Sequence, residues 1–275
     1  MIKVVISSLL VALLVSCGTE GTDHSKDAIK GSDTTSNSSD GHIFVLPAPL
    51  QIATFFRNHE PNAHLEFLSD KSVPVGNYNT DYQRALNLGI CITDVGYAAL
   101  YGNRQLVLDY LARTEELTKA LRLDAVAAIY ALRIRANIDS PDSLSFLLLS
   151  LYNDAQANLN TSSRASTAFY VASGCYIESL ALTLQHTHMK TQKEFVSLVA
   201  QEKLWVDNLA DALTYQEQSE ESQDLYNTFY TLQDCYKEIP TSVENNLPWC
   251  TFTDASYKRL CDKSVALRNA VITNK

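Results

Sequence analysis

The chain has 275 residues, of which 46% are hydrophobic and 19% charged, with only 9 Gly and 7 Pro. That excludes collagen-like, low-complexity and wholly disordered chains, and it supplies the apolar material for one large domain or two small ones. A formal charge of −9 argues against duplex DNA or RNA as a partner, because proteins that neutralise phosphates display basic surfaces.

The first 17 residues read MIKVVISSLLVALLVSC. Lys3 precedes an apolar run from Val4 to Val15, the pattern of a secretory signal, and the run is shorter than the ~20 residues that span a bilayer. Its end, Leu14-Val15-Ser16-Cys17, resembles the lipobox of bacterial lipoproteins. The resemblance implies cleavage before Cys17, a diacylglycerol on its sulfur and a palmitate-type acyl chain on its amine, which together anchor firmly where one chain would not. Gly18 rather than Asp follows the cysteine, which favours the outer membrane over inner-membrane retention. Loss of residues 1–16 removes one cation, leaving 21 against 31 anions and a formal −10. Such a domain is repelled by anionic lipid, so the lipid on Cys17 is its expected membrane contact.

Residues 18–41 hold 19 Gly, Ser, Thr, Asn, Asp or Glu in 24 positions and read as a flexible tether. The expected organisation is therefore a signal peptide over 1–16, a lipidated cysteine and tether over 17–41, and a folded domain over 42–275.

That domain reads as helical throughout. Pro49 suits a first helical turn, and residues 59–79, with Pro61, Pro74 and Gly76, read as a long ordered loop. Thr80-Asp-Tyr-Gln83 is a capping box opening a helix to about Tyr101. Helices follow from Gly102-Asn103 to Leu121 and from Asp124 to Asn137. Ser140-Pro141-Asp142 starts another, to about Leu159. Further helices are expected over 163–188, over 191–215 from a second capping box (Thr191 to Glu194), and over 220–238, stopped by Pro240. A loop with Pro248 precedes the last, Thr253 to Ile272. No period-two stretch calls for a sheet. The expected fold is all-α, a single bundle of about eight or nine helices, with stacked helical hairpins as the alternative. Residues 165–184 carry one charge in twenty, but their hydroxyls and Gly174 favour a buried central helix over a membrane span.

Several segments resemble uncharacterised helical proteins of Bacteroidota, often lipoproteins: LPAPLQIA (46–53), ALNLGICITDVGYA (85–98), YLARTEELTKALRL (110–123), NIDSPDSL (137–144), ASGCYIESL (172–180) and SVALRNAVI (264–272). The chain departs from that pattern at Cys91, where an aromatic is common, and at Cys175, where glycine is. The resemblance implies an all-helical domain and supplies no activity.

Charge isolated in apolar helices is the most informative chemistry. Asp94 is the only charge between Ala85 and Gly102, Glu178 is alone between Ala165 and Leu184, and Arg268 is alone between Ser264 and Ile272. If these helices pack together, each acid needs a partner, and Arg268 has the donor fork to bridge two carboxylates. Tyr97 or Tyr101 is placed to donate to Asp94. Two acids against one arginine leave one acid with a raised pKa, as at some catalytic sites, although a network fixing helix register is favoured. Gly89 and Gly96, on one face with Ala85, point to close approach of another helix, since interior glycine costs about 1 kcal/mol relative to Ala.

Five cysteines remain besides Cys17. Cys235 and Cys250 flank the proline-containing loop, and closing about 15 residues would stabilise by roughly 3 kcal/mol; Cys250–Cys261 is the rival pairing. Cys91 and Cys175 read as small buried hydrophobes. His59-Glu60-Pro61-Asn62-Ala63-His64 has the wrong spacing and a proline for a zincin helix, and His186-Thr-His188 reads as an exposed pair at a helix end. No metal ligand, cofactor or catalytic residue is assigned. The functional expectation is a lipid-anchored accessory or interaction protein of the cell envelope with an envelope protein as partner. The alternatives are a small-ligand module with an interhelical cavity and an enzyme using Asp94 and Glu178.

Overall fold

A computed structural model describes residues 36–39, 42–45, 51–161, 164–215 and 218–274. The signal segment, Cys17 and most of the tether lie outside them. Ser36–Ser39 (β1), inside the stretch read as tether, pairs antiparallel with His42–Val45 (β2). The remaining elements are helices α1 (Gln51–His59), α2 (Asp81–Leu100), α3 (Arg104–Ala120), α4 (Asp124–Ala136), α5 (Pro141–Thr161), α6 (Ala165–Gln185), α7 (Lys193–Leu213) and α8 (Glu220–Tyr236), then a hairpin, β3 (Thr241–Glu244) and β4 (Leu247–Cys250), and α9 (Asp254–Thr273). The fold is an all-α bundle with nine α-helices among the described residues.

Helix starts follow their chemistry. Thr80 accepts from the Gln83 amide at 3.2 Å while the Gln83 side chain accepts from Thr80, closing the expected capping box. Ser219 with Ser222 and Thr253 with Ser256 close two more. The box expected at Thr191 and Glu194 does not form: Gln192, whose amide donates to Met189 O at 2.8 Å as the chain leaves a 3-10 turn, takes the cap position instead.

The loop expected between α8 and α9 is instead the β3–β4 hairpin. Asn245 and Asn246 have φ of 51° and 63°, the left-handed pair that a two-residue type I′ turn requires and that Asn tolerates. The ladder aligns Thr241 with Cys250, and Thr251 N donates to Pro240 O at 2.9 Å. Backbone pairing thus closes the segment for which a Cys235–Cys250 disulfide was expected. Both cysteines are free thiols, as are Cys91, Cys175 and Cys261. Cys235 lies within α8, whereas Cys250 turns onto α7 and donates to Val196 O at 3.3 Å.

The centre of the bundle is α6, on which every residue from Thr167 to Leu184 is buried. No helix among the described residues is long and apolar enough to cross a membrane, and α6 is apolar all round because other helices surround it. It runs parallel to α2. Tyr82 meets Tyr170 near their starts, with ring centroids 4.9 Å apart, and Tyr97 of α2 meets His186 just past the end of α6. Between these points the backbones touch. A Cβ on Gly174 would lie 2.0 Å from Leu86 O, and one on Gly89 would lie 2.1 Å from Val171 O. Glycine is required here by backbone contact, and the seam it opens carries Asp94 and Glu178 about one turn further on. Helix α9 lies antiparallel to both, with Tyr257 donating to Leu184 O at 2.7 Å and Tyr78 to Ile272 O at 3.0 Å. This places Arg268 of α9 at the same seam.

Candidate functional site

Two polar clusters lie side by side under one irregular segment, residues 60–69. The first is the seam between α2, α6 and α9. Asp94 and Glu178 are fully buried and Arg268 is 5% exposed. Arg268 Nη1 donates to Glu178 Oε1 at 3.1 Å and to the Phe67 carbonyl at 2.7 Å. Ser69 Oγ donates to Asp94 Oδ2, and the Ser69 carbonyl accepts from Tyr110 OH.

The two carboxyl groups face each other within hydrogen-bonding reach. Burial pushes Asp94 up to about 6 against the pull of Ser69 and Arg268. Burial together with the Asp94 charge holds Glu178 well above the carboxylate range, only partly offset by Arg268. Asp94 Oδ1 and Glu178 Oε2 are each buried with no other donor. A single proton on the pair, held by the more strongly raised Glu178, leaves one negative charge to balance Arg268. Neutrality of the buried group requires that proton, since two bare carboxylates would leave an uncompensated charge in low dielectric.

Of the four residues read from sequence as one network, the structure therefore brings Asp94, Glu178 and Arg268 together and sends Tyr97 elsewhere. Tyr97 OH points at His186 Nε2, 3.1 Å away. The donor that reaches Asp94 is Ser69, from a loop that helical periodicity says nothing about.

The second cluster was not expected from sequence. Glu60 follows α1, its amide bonded to Phe56 O at 2.8 Å. Its side chain is 6% exposed. Glu60 Oε1 accepts from Asn62 N at 2.9 Å and Oε2 contacts His188 Nε2, while its carbonyl accepts from Tyr101 OH at 3.0 Å. Burial works to raise the Glu60 carboxyl, but the hydrogen bonds from His188 and Asn62 together hold it below its ordinary value. His188 sits on the 3-10 turn Thr187–Met189 and is half-exposed. His64 stacks on Phe67 with centroids 5.0 Å apart, and its Nδ1 lies 3.1 Å from Glu66 Oε1. One ligand-type atom from each of Glu60, His64 and His188 lies within 4.8 Å of the others.

His186, read from sequence as exposed, is fully buried. Its Nδ1–H donates to Leu182 O at 2.8 Å, Nε2 accepts from Tyr97, and the ring stacks on Phe56 at 4.1 Å between centroids. Helix α6 ends at Gln185 rather than near His188, so His186 turns inward and His188 outward. Desolvation pushes His186 down to about 4, and it is a neutral core residue at physiological pH.

The clusters differ in access. The acid pair is sealed beneath the Leu65–Ser69 segment, whereas the Glu60, His64 and His188 group opens to solvent through His188. The described grooves lie elsewhere. One of about 370 Å³ between α2, α8 and α9 is lined by Tyr82, Gln83, Leu86, Asp224, Leu267 and Val271 among others, and Tyr82 OH donates to Asp224 Oδ2 at 2.8 Å. Neither Asp94 nor Glu178 reaches it. No family model matches the chain, and no curated protein or solved structure matches it either.

Proposed function

We propose that the chain is a lipid-anchored accessory or interaction protein of the bacterial cell envelope, held at the outer membrane through Cys17, in keeping with its resemblance to helical lipoproteins of Bacteroidota. The observation that carries the interaction reading is a second apolar face on α4. Tyr130 and Ile134 point into the core, yet Ala125, Ala128, Ile129, Leu132 and Ala136, at helical spacing on the other side, are exposed. Leu132 is 79% exposed and Phe146, on the adjoining α5, is 66% exposed. Large apolar side chains clustered in solvent mark contact surfaces.

Arg133 and Asp142 line a groove with Phe146, and Arg135 lines one with Leu132, so charge of both signs borders the apolar side chains, as in protein interfaces. A chain of net −10 after signal removal is repelled by anionic lipid, so the occupant is another envelope protein. The small-ligand reading has less support, because the groove beside Tyr82 excludes the buried acids. An enzyme using Asp94 and Glu178 would need substrate to reach two fully buried groups.

The anchor is tested by mass spectrometry of the chain extracted from membranes. The expected first residue is an acylated Cys17, and an unacylated Cys17 overturns the anchor. The contact surface is tested in the same cells with a photo-crosslinking residue in place of Leu132 or of Lys237. A discrete protein adduct at position 132 alone is expected; lipid adducts only, or equal adducts at both positions, overturn it.

A further inference from the structure

We propose that Glu60, His64 and His188 form a binding site for one divalent transition-metal ion, zinc by the chemistry of its donors. The set comprises two imidazoles and one carboxylate. Calcium and magnesium take oxygen ligands, whereas imidazole with carboxylate suits zinc and its first-row neighbours.

The geometry needs little adjustment. Ligands bound at about 2.0–2.1 Å around a tetrahedral ion stand roughly 3.3 Å apart, and the three donor atoms already lie within 4.8 Å of one another. Glu60 is the fixed member: buried, held by the Asn62 amide and tied through its carbonyl to Tyr101. His188, half-exposed on a single 3-10 turn, and His64, on the loop, supply the remaining closure by side-chain rotation.

The surroundings are those of a supported site. Glu66 Oε1 lies 3.1 Å from His64 Nδ1; a carboxylate on one imidazole nitrogen is the arrangement that orients metal-bound rings through the other. The Asn62 amide occupies Glu60 Oε1 and leaves Oε2 free of any donor but His188. Glu60 Oε2 and His188 Nε2 already face each other; an ion between them takes a lone pair from each and displaces any proton held there to solvent. His186 is no ligand, because both its nitrogens are engaged, by Leu182 O and Tyr97 OH. Three protein donors leave a fourth position open on the His188 side, where water completes the shell, as in zinc sites that exchange ligands.

Isothermal titration of the full chain with zinc chloride, and absorbance on cobalt(II) substitution, test the site. One ion per chain is expected, with the visible bands of tetrahedral cobalt. His188→Ala and Glu60→Gln should each weaken binding by at least about tenfold, while His59→Ala, a histidine bonded only to Phe55 O on α1, leaves it unchanged. His188 is exposed enough that its variant folds, which far-UV circular dichroism checks even if Glu60→Gln does not fold. Absence of stoichiometric binding overturns the proposal, and so does binding that survives His188→Ala or falls equally in His59→Ala.

Discussion

Replacing Arg268 by Met keeps most of the side chain's length and apolar stem while removing its charge and its donors. Glu178 Oε1 loses its donor at 3.1 Å, and the Phe67 carbonyl loses the nearer of its two, at 2.7 Å, keeping Gln185 Nε2 at 3.3 Å. The Asp94 charge is then left buried without a cation. Removing one member of a buried ion pair costs about 3–5 kcal/mol, and for a domain of this size that is a fall of roughly 10 °C in Tm.

The pH dependence carries the sharper test. Asp94 has a folded pKa of about 6 against an ordinary value of 3.8, so the folded chain holds more protons than the unfolded chain between those values. The stability it contributes is complete below about pH 4 and is lost as pH rises through 6, a change of about 3 kcal/mol at most. Without Arg268 the folded pKa rises further, because the cation's pull is gone, and the window extends upward. The variant's deficit is therefore largest near pH 7.5 and shrinks at pH 5, where protonation replaces the missing cation. Urea unfolding of both chains at the two pH values, followed by far-UV circular dichroism, measures this. A deficit below about 1 kcal/mol at pH 7.5 would contradict the cost assigned to a buried unpaired charge, and a deficit that is equal or larger at pH 5 would refute the shared-proton reading.

Gly174→Ala places a methyl group 2.0 Å from Leu86 O, which only separation of α2 and α6 relieves, so a loss of about 2 kcal/mol or more is expected; Gly76→Ala, with nothing within 4 Å, should stay within about 0.5 kcal/mol. Thermal melts of the two variants distinguish backbone contact from a general glycine effect. Thiol titration should find Cys261 the fastest to react and Cys91, Cys175 and Cys250 nearly inert, since burial pushes each of these three thiols up to about 12. All five should react in denaturant without reductant, and recovery of only three would mean that a disulfide had formed.

What the sequence made legible was what local chemistry controls. The helix start at Thr80 is written in residues three apart, although the same signature at Thr191 is overridden by the 3-10 turn before it. Lone charges in apolar helices announce that something must neutralise them, which is why Asp94, Glu178 and Arg268 could be grouped across the whole chain. Gly89 announced a close helix contact by the same logic. Tyr97 misled because spacing along α2 fixes which residues share a turn and leaves the direction of a long side chain to its neighbours, here Phe56 and His186. The hairpin was missed because Asn245-Asn246 is a weaker turn signal than Asn-Gly and its strands are short. The Glu60, His64 and His188 group was illegible for a different reason: His188 lies 128 positions from Glu60, and motif spacing can recognise only ligands that share an element or a loop.

The segment over the two clusters also orders events in time. Phe67 is held by an arginine 201 residues later in the chain, and the Tyr78 hydroxyl by a carbonyl 194 residues later. A chain made or translocated from its N-terminus presents residues 60–78 early. Tyr101 and Tyr110 reach Glu60 and Ser69 from the end of α2 and from α3, but the ties to Phe67 from Arg268 and from Tyr78 to Ile272 wait for α9. Until then Asp94 has no cation near it, and the segment lacks its two ties to α9. Its last helix is the step that converts a collapsed bundle into a locked one.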